Sequence, residues 1–106
     1  MTKYRNIKTI VDGHKFDSKG EARRYTELRL LEKSGQIREL RLQVPFVLID
    51  KSKHGRKVTY RADFTYIRSD TGEYIVEDFK GVRTPVYKLK RRLMAERFGI
   101  EIMETG

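Results

Sequence analysis

Residues 58–80 read VTYRADFTYIRSDTGEYIVEDFK, and the fold is decided in this stretch. From Val58 to Ile67 the side chains alternate, with Val58, Tyr60, Ala62, Phe64 and Tyr66 set against Thr59, Arg61, Asp63, Thr65 and Ile67, the period of a strand with two distinct faces. Ser69-Asp70-Thr71-Gly72 is a turn, and Glu73 to Lys80 returns as a second strand. If Arg68 and Glu73 close this hairpin, Asp63 lies opposite Asp78 and Arg61 opposite Lys80. Period two then puts all four side chains on one face, with opposed Cβ atoms about 5 Å apart. Glu77 shares the other face with Ile75 and Phe79 and opposes Phe64, so Asp78 is the acid of the constellation, and a bulge would exchange the two. Apposed carboxylates repel unless a cation offsets them. Diagonal pairs, Arg61 with Asp78 and Asp63 with Lys80, offer a second way to neutralise the charge, and the hairpin alone does not choose between a metal site and a charge ladder.

Upstream, Thr9 to Asp17 predicts two short strands around Asp12-Gly13, a dipeptide suited to a two-residue hairpin turn. Ser18-Lys19-Gly20-Glu21 has the capping-box pattern, and Ala22, Tyr25, Leu28 and Leu31 repeat at helical spacing until Gly35, which predicts a helix over 19–34. Glu21, Tyr25 and Leu28 fall on one stripe of that helix, so Glu21 serves either as a cap alone or as a cap that also reaches the acids on the strands. Leu42 to Asp50 reads as a strand in which Pro45 requires an edge or a bulge. Downstream, Pro85 to Gly99 predicts a helix with Val86, Leu89, Leu93, Met94 and Phe98 on its inner side, and Ile100 to Met103 a last strand. The expectation is one α/β domain over residues 1–106, a mixed sheet flanked by two helices and preceded by a short hairpin.

Composition narrows the partners. The 106 residues carry 24 Lys and Arg against 15 Asp and Glu, a net charge of +9, which favours a polyanion, nucleic acid before anionic lipid. There is no cysteine, which excludes disulfides and thiolate zinc sites and fits the reducing cytoplasm. No apolar run is long enough for a signal peptide or a membrane span, so a soluble protein with no membrane partner is expected. His14 and His54 lie in turns without a second ligand at metal spacing. The aromatic residues suit core positions, and no glycine-rich phosphate loop is present.

Asp63 in YRADFTYI, Asp78-Phe79-Lys80 in YIVEDFKG and Glu21 in FDSKGEARRY together resemble the PD-(D/E)XK nuclease superfamily, with its restriction-endonuclease-like αβββαβ core. Ala62 stands where that superfamily's motif has proline. In detail the chain is similar to a family of small phage-borne proteins of unknown function, and more remotely to Holliday-junction resolvases. The resemblance implies a Mg²⁺ site, with Mn²⁺ as a substitute, held by Asp63, Asp78 and the Phe79 carbonyl, with Glu21 bound directly or through water. It implies that Lys80 orients the attacking water or steadies the transition state, and that Glu21, Asp63, Asp78 and Lys80 are catalytic.

Arg83, Lys88, Lys90, Arg91 and Arg92 follow in sequence with few acidic partners at helical spacing, which predicts a phosphate track on the outer side of the second helix. Lys90 borders the buried side, within reach of the metal, and Gln43 ahead of Pro45 is a candidate polar group beside the acids. The expectation is a metal-dependent DNA endonuclease acting on branched DNA, as a homodimer, in phage or mobile-element recombination, and in the host cytoplasm if phage-encoded. The alternatives are a non-catalytic basic nucleic-acid-binding accessory protein on the same fold, and an RNA-directed enzyme.

Overall fold

The computed structural model describes residues 8–80 and 82–106. A hairpin of β1 (Thr9–Val11) and β2 (His14–Phe16) comes first. Asp12 and Gly13 adopt φ of 51° and 80° between these strands, the paired positive angles that match strand twist in a two-residue turn. Helix α1 (Lys19–Lys33) begins where the Ser18 hydroxyl accepts the Glu21 N–H at 3.1 Å, satisfying one of the orphan donors of the first turn. β3 (Ile37–Ile49), β4 (Val58–Arg68), β5 (Tyr74–Phe79), α2 (Pro85–Phe98) and β6 (Met103–Thr105) follow. After the hairpin the order is αβββαβ, the order expected. The four long-range strands lie as β3-β4-β5-β6, antiparallel except for the parallel pair β5–β6. Among the described residues no helix is long and apolar enough to cross a membrane.

The β4–β5 register is the one the turn predicts. Arg68 N–H donates to the Glu73 carbonyl at 2.9 Å, and Phe64 stands opposite Glu77. Three expectations need correction. First, β3 begins at Ile37 rather than Leu42: the register slips between Arg38 and Arg41, with Glu39 at φ 56°, and such a bulge joins two runs into one strand while masking the alternation. Pro45 does sit on the sheet edge, opposite Arg61. Second, the last strand is Met103–Thr105, paired with Glu77, Asp78 and Phe79, while Ile100 and Ile102 pack under α2. Third, α2 is rotated from the predicted face. Met94 is buried and Leu93 packs against the core as predicted, but Val86 and Leu89 are 63% and 57% exposed, Phe98 is also exposed, and Tyr87 is buried instead. Tyr87 fixes this rotation by donating its hydroxyl to Glu104 at 2.6 Å, a polar anchor that outweighs two exposed aliphatic side chains.

Two apolar clusters hold the sheet. Phe16, Ala22, Tyr25, Leu28, Ile37, Phe64 and Tyr66 pack beneath α1, and Leu48, Tyr60, Ala62, Val76, Tyr87 and Met94 pack beneath α2. Tyr60, Ala62, Phe64 and Tyr66 of β4 are all buried yet divide between the two clusters, and the division falls at Asp63. There β4 parts from β5, its ladder to that strand ending at Phe64 and Glu77, and continues beside β3 alone.

Candidate active site

The parting of β4 and β5 builds the site. Where a ladder bond would continue, the Asp63 carboxylate inserts and accepts the Phe79 N–H at 2.8 Å through Oδ2. Its Oδ1 takes the Gln43 amide from β3 at 3.3 Å. Asp78, opposite in register, is 2% exposed. Its Oδ2 receives the Tyr60 hydroxyl at 3.0 Å and stands 3.2 Å from Lys80 Nζ. Burial, then a hydrogen bond to Asp63 and the charge of Asp63, push the Asp78 carboxyl up to about 7, with Lys80 and Tyr60 pulling the other way.

Glu21 heads α1 above this pair and is buried among the first turn's neighbours. Burial and then the charges of Asp63 and Asp17 raise its carboxyl to about 7, and Lys80 lowers it. The first turn carries Glu21 toward the strands because Gly20 has no side chain. A Cβ there would lie 2.5 Å from Phe79 Cζ, so the ring of Phe79 packs directly on the α1 backbone. Thus Glu21, Asp63, Asp78 and Lys80, which lie far apart in the chain, share one electrostatic neighbourhood.

The choice between neighbouring acids is resolved by Glu77. It is fully buried on the opposite side of β5, where Arg24 grips it with two hydrogen bonds of 2.6 and 2.8 Å and Tyr66 donates at 2.7 Å. A carboxylate so completely engaged is structural. No bulge interrupts β5 to exchange the two acids.

Lys80 is held from two sides, by Asp78 and by the Tyr87 ring, whose centroid is 4.3 Å from Nζ. The predicted diagonal pairing with Asp63 gives way to this contact along the same strand. Beyond Lys80 lies a groove of about 450 Å³ between β4 and α2, lined by Thr59, Arg61, Lys80, Thr84, Val86 and Lys90 among others, with no acid in its wall. Arg61 and Lys90 form no ion pair among the described residues, so two uncommitted cations converge there beside the acids.

The remaining basic residues do not form one track. Arg83 and Arg91 both grip Glu104, at 2.8 and 3.0 Å, and with the Tyr87 hydroxyl, the leading cause, they hold its carboxyl down at about 2. Arg92 pairs with Glu96 at 2.6 Å. Lys88 stays exposed, and Lys90 alone turns into the groove. Of the predicted track, Arg83 and Arg91 thus share Glu104 and Arg92 holds Glu96, while Lys90, with Arg61 of β4, has no acid partner among the described residues.

A sequence model of the DUF1064 family, a protein family of unknown function, matches residues 1–104. The chain belongs to this family. No curated protein and no solved structure matches it.

Among the described residues no three His, Asp or Glu side chains are gathered closely enough to grip a metal ion as they stand. The donor set nevertheless fits a hard divalent cation: the buried Asp78 and the half-buried Asp63 feel each other's charge and repel once both ionise, with a third carboxylate nearby, all oxygen. Mg²⁺ in particular needs only one or two protein carboxylates and keeps its waters. Tyr60, Tyr87 and Arg24 are the participants that strand and helix periodicity do not assign. Alternation puts Tyr60 on the face away from Asp63, and only the parting of β4 from β5 lets it reach Asp78. Arg24 was detectable, one helical turn after Glu21, as a cation aimed at the sheet with Glu77 unexplained.

Proposed function

We propose that this protein is a metal-dependent nuclease that hydrolyses phosphodiester bonds in DNA, with branched DNA as its substrate and Asp63, Asp78, Glu21 and Lys80 as its active site. One observation carries the reading: the half-buried Asp63 and the buried Asp78 share one electrostatic neighbourhood with Glu21 and Lys80, while the adjacent Glu77 is consumed by Arg24 and Tyr66. Such a cluster is costly to ionise and is compensated when a cation binds it.

Asp63, Asp78 and the Phe79 carbonyl would hold Mg²⁺ or Mn²⁺, with Glu21 bound directly or through water. A cation there makes hydroxide available near neutral pH and offsets charge on the phosphate. The protein's own part is positional. Gln43 and the Phe79 N–H hold Asp63, Tyr60 holds Asp78, and the Tyr87 ring steadies Lys80 so that its ammonium faces the attacking water or a phosphate oxygen. Arg61 and Lys90 carry the strand's phosphates into the groove. Paired cuts on a branched substrate need two such sites, which a homodimer supplies.

Incubation of the purified protein with labelled four-way junction, fork and linear duplex, in Mg²⁺ and in chelator, tests the reading. Metal-dependent nicking at the branch is expected, abolished in Asp63→Asn and Lys80→Ala with DNA binding retained. Cleavage that survives either substitution refutes the assignment. Binding with no product under any metal supports instead a non-catalytic accessory protein on the same fold.

A further inference from the structure

On the other side of Asp63 from the Arg61 groove lies a bowl of about 670 Å³, bounded by the β1–β2 hairpin, α1 and the first half of β3. Gln43 belongs to both places: it lines the bowl, and its amide donates to Asp63. It does so at φ 53°, a left-handed conformation rare for a side chain of this kind and characteristic of functional sites. The two carboxylates of the bowl are already engaged. Asp12 accepts the Tyr25 hydroxyl at 2.9 Å, and Glu32 accepts Arg29 at 2.7 Å and the Leu40 N–H at 3.1 Å. Arg29 is taken up by Glu32 and Asp12, at 2.7 and 3.8 Å, and the two other cations are less committed. Lys15 has no ion pair among the described residues, and the acid contact of Arg41, to Glu39, is 4.0 Å long. The exposed His14 ring stands edge-on to Tyr25, centroids 5.4 Å apart, and offers a flat surface at the rim.

We propose that this bowl is a nucleotide subsite, taking one unpaired nucleotide of the strand being cut, on the opposite side of the scissile phosphate from Arg61 and Lys90. The inference rests on the nuclease reading above and deepens it. A cavity in the range of small-ligand sites admits one nucleoside but not a duplex, so the base must leave its stack to enter. Lys15 and Arg41 meet its phosphate and the His14 ring its base. Because concave walls then flank the acids on both sides, the strand continues past the cut in both directions, and the bond attacked is an internal one.

The test uses the full-length protein in chelator, so that binding is read without cleavage. A fork or junction carries 2-aminopurine in turn at each position around the branch, and its emission is compared free and at saturating protein, with anisotropy reporting total binding. At one position the wild type should change the emission strongly. His14→Ala/Arg41→Ala, both exposed positions, should lose most of that change while total affinity falls no more than about threefold. Arg61→Ala/Lys90→Ala should weaken binding but keep the emission change at saturation. An emission that never changes, or that changes equally in the His14/Arg41 variant while the Arg61/Lys90 variant binds weakly, overturns the subsite and leaves the nuclease reading standing. Failure of the wild type to bind any of the DNA forms overturns both.

Discussion

Replacing Asp78 with asparagine should make the protein more stable while removing its cleavage activity. Asp78 is 2% exposed and its carboxyl is raised from 3.8 to about 7, so ionising it in the folded state costs about 4 kcal/mol once the pH exceeds both values. Asparagine has the same shape. Its amide donates to Asp63, its oxygen accepts the Tyr60 hydroxyl, and no buried polar group is orphaned. Lys80, whose side chain is 25% exposed, loses its partner, which takes back about 1–2 kcal/mol. The net gain is then about 2–3 kcal/mol. Its pH dependence follows from the direction of the shift. Because the folded-state value is the higher one, the Asp78 contribution is at full strength below the unfolded value near 4 and is lost as pH rises through about 7, whereas the variant lacks this titration and keeps only that of Glu21. Urea unfolding in chelator, followed by circular dichroism at about pH 5 and about pH 8, should show the difference between variant and wild type widening with pH at unchanged slope. Adding Mg²⁺ should then raise the midpoint of the wild type and not that of the variant. A variant less stable than wild type at the higher pH, or a difference that stays constant with pH, would show that the two carboxylates do not confront each other as described.

Three other outcomes are expected. Arg24→Met strands the buried Glu77 with only Tyr66 for a partner, at a cost of about 3–5 kcal/mol in thermal or urea unfolding, while Glu77→Gln should fold and still cleave; loss of cleavage in a folded Glu77→Gln protein would reassign the metal ligand. Gly20→Ala drives a methyl group into the Phe79 ring, so it should lower stability by about 1–3 kcal/mol and reduce cleavage more than a simple surface change, and neutrality in both assays would contradict the close packing. Binding to duplex DNA should weaken with salt at a log-log slope of about −0.9 per neutralised phosphate, and Arg61→Ala/Lys90→Ala should flatten that slope by about two contacts. Lys88→Ala/Arg92→Ala, outside the groove, should change it less.

The local elements follow from short-range chemistry: Asp12-Gly13 can only turn, Ser18 caps, Gly99 stops a helix in the left-handed conformation, and the Ser69–Gly72 turn sets the β4–β5 register because side-chain alternation leaves one pairing that buries Phe64 and Tyr66. From that register alone Asp63 and Asp78 come face to face, and Glu77 is turned away from them. Everything that depends on curvature lay beyond this reading. The bulge at Glu39 hides the start of β3, because a positive φ breaks the alternation that marks a strand. The face of α2 was read from its aliphatic residues, but one buried tyrosine with a hydroxyl partner set its rotation. Arg24 met Glu77 across the sheet, and Arg83 and Arg91 met Glu104, because ion pairs between distant segments obey no period in the chain. Register is a local property of two strands and their turn, whereas the parting of β4 from β5 at Asp63, which admits Tyr60 to Asp78, arises only when twisted strands must cover two helices at once.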